Sequence, residues 1–126
     1  MFVNKVEVLT MARAMASHAA ARQGVIAANV ANADTPGYRA RDLISFADVW
    51  QGQGMALRAT RAGHLGGGFQ AGAGMMPDRL NVSPNGNSVS LEAEMVKAAE
   101  ARQAHDMALA IYRSLSGNIR ATLGRR

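Results

Sequence analysis

The feature that most constrains this 126-residue chain is the stretch Asn29 to Phe46, NVANADTPGYRARDLISF. The run before it, from about Val3 to Ala33, holds no proline, a single glycine and many alanines, a composition with strong helix propensity. Pro36 ends that helix, because proline has no amide donor and forces the preceding Thr35 out of the helical region. Pro36 and Gly37 suit the two central positions of a type II turn, where proline presets φ and glycine supplies the positive φ. A long helix therefore stops here and the chain turns sharply away.

Within that first helix Val8, Met11, Met15, His18, Arg22, Val25, Asn29 and Asn32 follow the alternating three-four spacing of a heptad seam. Ala12, Ala16, Ala19, Ile26 and Val30 form an adjoining face of mostly small residues. A helix of this length spans roughly 45 Å, more than a small domain covers, so part of its apolar surface calls for a partner. Asn29 and Asn32 admit two roles. They either cap the helix end or sit on the seam, where a buried amide fixes the register of paired helices.

Beyond the turn, Tyr38 to Arg41 should run extended, and Leu43, Phe46, Ala47 and Trp50 recur at helical spacing, which predicts a short amphipathic helix. Eight glycines between Gly52 and Gly74, followed by Pro77 and Pro84, mark residues 51–87 as a long irregular excursion. Met55 to Thr60 is its one candidate strand. Asn85-Gly86 marks a further turn, and Ser88 or Ser90 can cap a helix whose first turn carries Glu92 and Glu94. That helix should run from Leu91 to about Leu123, with Met95, Ala98, Arg102, His105, Leu109, Tyr112, Ser116, Ile119 and Leu123 on one stripe and Met107, Ile111 and Leu115 on another. The expected fold is mainly α: two long terminal helices packed as a coiled coil, joined by an irregular Gly-rich middle with little β structure. It forms one domain over 1–126, divided into an N-terminal helix (1–33), a turn, extended segment and loop (34–90), and a C-terminal helix (91–126).

Much chemistry is excluded. There is no cysteine, hence no disulfide, thiolate metal site or cysteine nucleophile. His18, His64 and His105 lie far apart, and none pairs with a carboxylate at metal-ligand spacing. No nucleophile elbow frames a serine, and the glycines lack the strand, helix and Lys-Ser/Thr of a phosphate-binding loop. Neither catalysis, a cofactor, a metal nor a small-molecule substrate is expected. The net charge of +5 raises nucleic acid as a partner, but the fourteen basic residues are scattered and the one tight group is Arg120, Arg125 and Arg126. No nucleic-acid interface is therefore expected, although a basic helical nucleic-acid-binding module is the alternative from another functional class. A membrane-surface helix is a third reading, weakened by the Arg and His residues inside the apolar stripes. No apolar run is long enough to span a bilayer, and Glu7, Arg13, His18 and Arg22 interrupt any signal-peptide core.

Two motifs carry a resemblance. Asn29-Val-Ala-Asn32-Ala-Asp-Thr35-Pro36-Gly37-Tyr38, continuing to Asp42 and Phe46, resembles the amino-terminal signature of bacterial flagellar axial proteins, and Asn85-Gly86-Asn87-Ser-Val-Ser-Leu91-Glu-Ala-Glu94-Met95 is similar to the entry of the last helix in the proximal member of the flagellar basal-body rod family. The resemblance implies a structural rod subunit, exported without a cleaved signal peptide through the flagellar type III apparatus. Its terminal helices would polymerise to form part of the periplasm-spanning drive shaft and export channel. It implies as partners copies of itself, other rod subunits, and base-ring and export-gate proteins of the motor; another rod-family axial position is the near alternative. Asn29, Asn32, Thr35, Pro36, Gly37, Tyr38, Asp42 and Phe46 are the motif and turn residues. Met11, Met15, Val25, Met95, Leu109, Tyr112 and Ile119 are the expected packing seams between subunits, and Phe46 with Trp50 resembles the segment that contacts the export gate.

Overall fold

The computed structural model describes residues 2–53, 75–77 and 82–124. They form α1 (Phe2–Ala31), β1 (Arg41–Leu43), α2 (Phe46–Gln53), β2 (Met75–Pro77) and α3 (Leu91–Leu123). The two long helices pack on one another and dominate the molecule, as expected. They run antiparallel, since Asn29 near the end of α1 bonds to Glu94 near the start of α3, while Ala12 and Ala108 line one groove toward the other ends. The glycine run and the candidate strand Met55–Thr60 lie outside the described residues.

Alpha1 ends two residues before the expected limit of Ala33. The amide of Asn32 is shared between the carbonyls of Ala28 and Asn29, and Ala33 and Thr35 donate three residues back, to Val30 and Asn32. Such tightening serves the carbonyls that a helix end leaves without partners. The Tyr38 amide then donates to the Thr35 carbonyl at 3.2 Å, with Gly37 at φ +75°. This is the type II turn that Pro36-Gly37 predicts.

The extended exit becomes β1, which pairs antiparallel with β2 in the register Arg41↔Pro77, Asp42↔Met76 and Leu43↔Met75. The partner strand was not among the expected elements. Ser45 caps α2: its hydroxyl accepts from the Asp48 amide and donates to the Asp48 carboxylate at 2.6 Å. On α2, Phe46 sets its ring against Trp50 one turn later and edge-on to His18 of α1, with centroids 5.8 and 5.7 Å apart.

The seam between the long helices is made largely of alanine, with Ile26 and Glu94 toward its junction end. Ala12, Ala19 and Ile26 are buried on α1 at intervals of seven, and Glu94, Ala101 and Ala108 on α3 at the same interval. This period keeps one stripe facing its partner along the whole pair. Alanine contributes little apolar area but lets backbones approach closely. The large residues assigned to packing seams flank this line. Met11, Met95 and Tyr112 are exposed, and Met15, Val25, Leu109 and Ile119 are half-buried. Within the chain the innermost positions thus fall beside those with the greatest side-chain bulk.

Candidate functional site: the junction of the two motifs

The two sequence motifs, Asn29–Phe46 and Asn85–Met95, meet at the end of the helix pair where α1 stops and α3 begins. Asn29 is fully buried there. Its amide nitrogen donates to the Arg41 carbonyl at 2.7 Å and to Glu94 Oε2 at 3.2 Å, and its Oδ1 accepts from the Tyr38 hydroxyl at 3.1 Å and the Arg41 amide at 3.2 Å. One side chain on α1 thereby ties the turn, the start of β1 and the first turn of α3. Glu94 is 1% exposed, and its other oxygen accepts from Lys97 Nζ at 3.2 Å. A buried carboxylate is stable only when its lone pairs are engaged, and here an amide and an ammonium engage them.

Asn87 works from the opposite direction. Its amide nitrogen lies within 2.9 Å of the carbonyls of Asn32 and Ala33 and 2.8 Å from that of Thr35. Two hydrogens shared among three acceptors clamp the frayed end of α1. Its Oδ1 accepts from the Val89 amide at 2.8 Å. Next to it, Ser88 donates its amide to the Tyr38 carbonyl, and its hydroxyl accepts from the Ala40 amide at 2.7 Å. Ser90 is the residue that caps α3, accepting from the Ala93 amide.

The two turns touch through glycine. The Gly37 amide donates to the Asn85 carbonyl at 3.0 Å, and Gly86 has φ +82°. A Cβ on Gly86 would stand 3.3 Å from the Gly37 Cα, so both the backbone angle and the close approach require glycine there. Among the described residues no buried side-chain nitrogen or oxygen lacks a partner, so this dense polar network is fully satisfied.

Two turns earlier on α1, Arg22 grips Asp42 of β1 with two bonds, Nε to Oδ1 at 3.0 Å and Nη2 to Oδ2 at 3.1 Å, and reaches Glu100 of α3 at 3.4 Å. Its pKa is raised above the usual arginine value, chiefly by the hydrogen bond to Asp42 and against the opposing effect of burial. The guanidinium thus remains a cation joining three elements. His18 Nε2 lies 2.8 Å from the Ile44 carbonyl and borders a cavity of about 250 Å³ together with Arg22, Phe46 and Ala101.

Of the motif residues, Asn29, Thr35, Gly37, Tyr38 and Asp42 are all brought into this network. Asn32 joins it through its carbonyl, while its side chain is local, donating to the Ala28 carbonyl and accepting from the Thr35 hydroxyl at 3.2 Å. The cap and the register amide are therefore divided between the two asparagines, Asn32 at the helix end and Asn29 in the seam. Pro36 is exposed at the turn, and Phe46 and Trp50 are half-buried. The sequence offers Ser88 as a candidate helix cap and Glu94 as a first-turn acid, but Ser88 instead holds the Ala40 amide, and neither the inward role of Asn87 and Glu94 nor the pairing of Arg22 with Asp42 is foreseen. Asn87 and Glu94 do stand inside the second motif, but nothing there says that their side chains turn inward. No group of three His, Asp or Glu residues among the described residues could hold a metal ion. The junction is built to lock backbone segments together.

A family profile for "Flagella basal body rod protein" matches residues 9–39, which is α1 from its first third through the turn and Tyr38. The chain is 36% identical over 107 residues to the flagellar basal body rod protein FlgB of Cereibacter sphaeroides, covering 82% of this chain and 84% of that one. The FlgB protein of Salmonella typhimurium is 36% identical over 109 residues, covering 75% and 77%. That of Agrobacterium fabrum is 29% identical over 116 residues, covering 86% and 87%.

Proposed function

The chain belongs to the FlgB family of flagellar basal body rod proteins, and from that premise we propose that it is a structural subunit of the proximal rod, polymerising through the outer faces of α1 and α3. Its relatives are rod proteins and not enzymes. The observation that best supports the reading is the division of labour between the junction and the helix surfaces. Asn29, Asn87 and Glu94 of the two motifs are consumed in joining the end of α1 to the start of α3, while Met95, Val96, Met107, Tyr112 and Leu123 remain exposed along α3 and Val6 and Met11 along α1. Exposed large apolar side chains in such number suit burial against neighbouring subunits, and contacts between unlike surfaces propagate into helical or tubular arrays.

On this reading the partners are copies of the chain and other rod subunits, with base-ring and export-gate proteins at its end of the rod. No helix among the described residues is long and apolar enough to cross a membrane. Phe46 and Trp50 pack inward against His18 and each other, so a contact of this segment with the export gate belongs to the unfolded chain before assembly. The test is complementation of a flagellated host that lacks its own copy of this subunit, with rods counted in purified basal bodies. Met15→Asp and Leu109→Asp should leave expression intact and abolish rods and swimming; normal rods in both variants would overturn the assignment of these faces to subunit packing.

A further inference from the structure

We infer that Asn85-Gly86 is a built-in deamidation site that the folded junction holds closed and any opening of the junction releases. It is the one Asn-Gly dipeptide in the chain, and Asn85 is exposed to water. The reaction needs no other residue. Once solvent hydroxide removes its proton, the Gly86 amide nitrogen attacks Asn85 Cγ, the new C–N bond closes a five-membered succinimide, and the Cγ–Nδ2 bond breaks to release ammonia. Water then opens the ring at either carbonyl, leaving aspartate or isoaspartate at position 85. No oxidation or reduction is involved, and asparagine is among the thermolabile residues for reasons of this kind.

The folded geometry opposes each requirement of that attack. The Gly86 amide hydrogen is held by the Ser83 carbonyl at 2.8 Å, so the nucleophile keeps its proton. Asn85 Oδ1 accepts from the Asn87 amide at 3.1 Å, which restrains the side chain from rotating freely into the attack geometry. The Asn85 carbonyl accepts from the Gly37 amide at 3.0 Å, and Ser83 donates its amide to the Asn87 carbonyl at 2.8 Å, so the backbone cannot swing to bring nitrogen and Cγ together. Replacing the glycine of the labile pair would carry a penalty, because Gly86 sits at φ +82° and a Cβ there would press on Gly37 at 3.3 Å. The same geometry that needs the dipeptide therefore protects it.

The consequence is irreversible. An isoaspartate inserts a backbone methylene between the Asn85 and Asn87 positions that bond to the first motif, so a chain that has stayed open long enough to react no longer matches the turn it must meet. The site thereby distinguishes chains that joined their two motifs promptly from those that did not.

The test uses the full chain incubated at mildly alkaline pH, in native buffer and in denaturing urea, with peptide mass mapping and isoaspartate quantification at residue 85. Modification at Asn85 should be at least about tenfold slower in native buffer, because only the open fraction reacts. Asn29→Ala, which opens the junction from the other side, should raise the native-buffer rate toward the urea rate, whether that variant is loosened or unfolded outright. Equal rates in the two conditions for the natural chain, an unchanged native-buffer rate in Asn29→Ala, or an Asn85 that stays intact in urea would each overturn the inference.

Discussion

The two ends of the helix pair are held together by different means. At the junction end, Asn29, Asn87, Glu94, Ser88 and Tyr38 link the helices through short, directional bonds, each with a specific partner. Toward the other end, the pair rests on Ala12 and Ala108 beside a groove of about 310 Å³ lined by Arg13, Ala16, Leu109 and Tyr112, and among the described residues no side-chain hydrogen bond joins the helices there. Directional bonds set register and angle, whereas an alanine seam permits close approach without dictating which residues meet. The difference teaches that geometry within the subunit is set at one end, leaving the far end and the outer faces to be completed by neighbours on the proposed function.

Substitutions can break or sharpen that contrast. The largest effect should come from Asn29→Ala, which removes four bonds and strips the buried Glu94 of its amide donor. A loss of about 3 kcal/mol is expected in urea unfolding of the full chain. Ala108→Leu, at the far end, should cost less, about 1–2 kcal/mol, since overpacking there can be relieved by splaying an end without polar ties. If Ala108→Leu proves the more damaging of the two, the junction is not the dominant constraint. Gly86→Ala should cost about 1–2 kcal/mol through its positive φ and the approach to Gly37, with the loss of amide protection concentrated at residues 37–41 and 85–88 in hydrogen exchange.

Asp42→Asn should cost about 1 kcal/mol, because the Arg22 pair is partly exposed to screening solvent. Its effect should shrink in high salt, where that of Asn29→Ala does not. The smallest change is of opposite sign. Gly24 lies mid-helix, exposed and with open space where a Cβ would go, so Gly24→Ala should stabilise by about 0.5–1 kcal/mol, read as a rise in melting temperature.

The helices were legible in the sequence because proline, glycine and capping signals are local. Pro36 and Gly37 mark the turn after α1, Ser90 is one of two serines offered as the cap of α3, and the spacing of Phe46, Ala47 and Trp50 marks α2, whose Ser45–Asp48 cap is not foreseen. The seam was less legible. Apolar and alanine residues are spread round α1 between its charged ones, and a heptad pattern weighted by large side chains selects Met11, Met15 and Met95, whereas close packing selects Ala12, Ala19 and Ala101. Glu94 was read as a residue of the first turn of α3 and is also a buried acceptor. Its partner Asn29 lies sixty-five residues away, and no local pattern encodes so distant a pairing. Asn29 could be suspected as a register amide, but only the assembled junction separates its role from that of Asn32.

The central claim is that Asn29 and Glu94 couple the two motifs directly. A double-mutant cycle with Asn29→Ala and Glu94→Ala, followed by urea unfolding, measures that coupling. The account predicts an interaction energy of at least about 1.5 kcal/mol, because each single change strands the partner in the buried junction. Additive losses, with a coupling within about 0.3 kcal/mol of zero, would contradict it and mean that the two motifs are neighbours without holding each other in place.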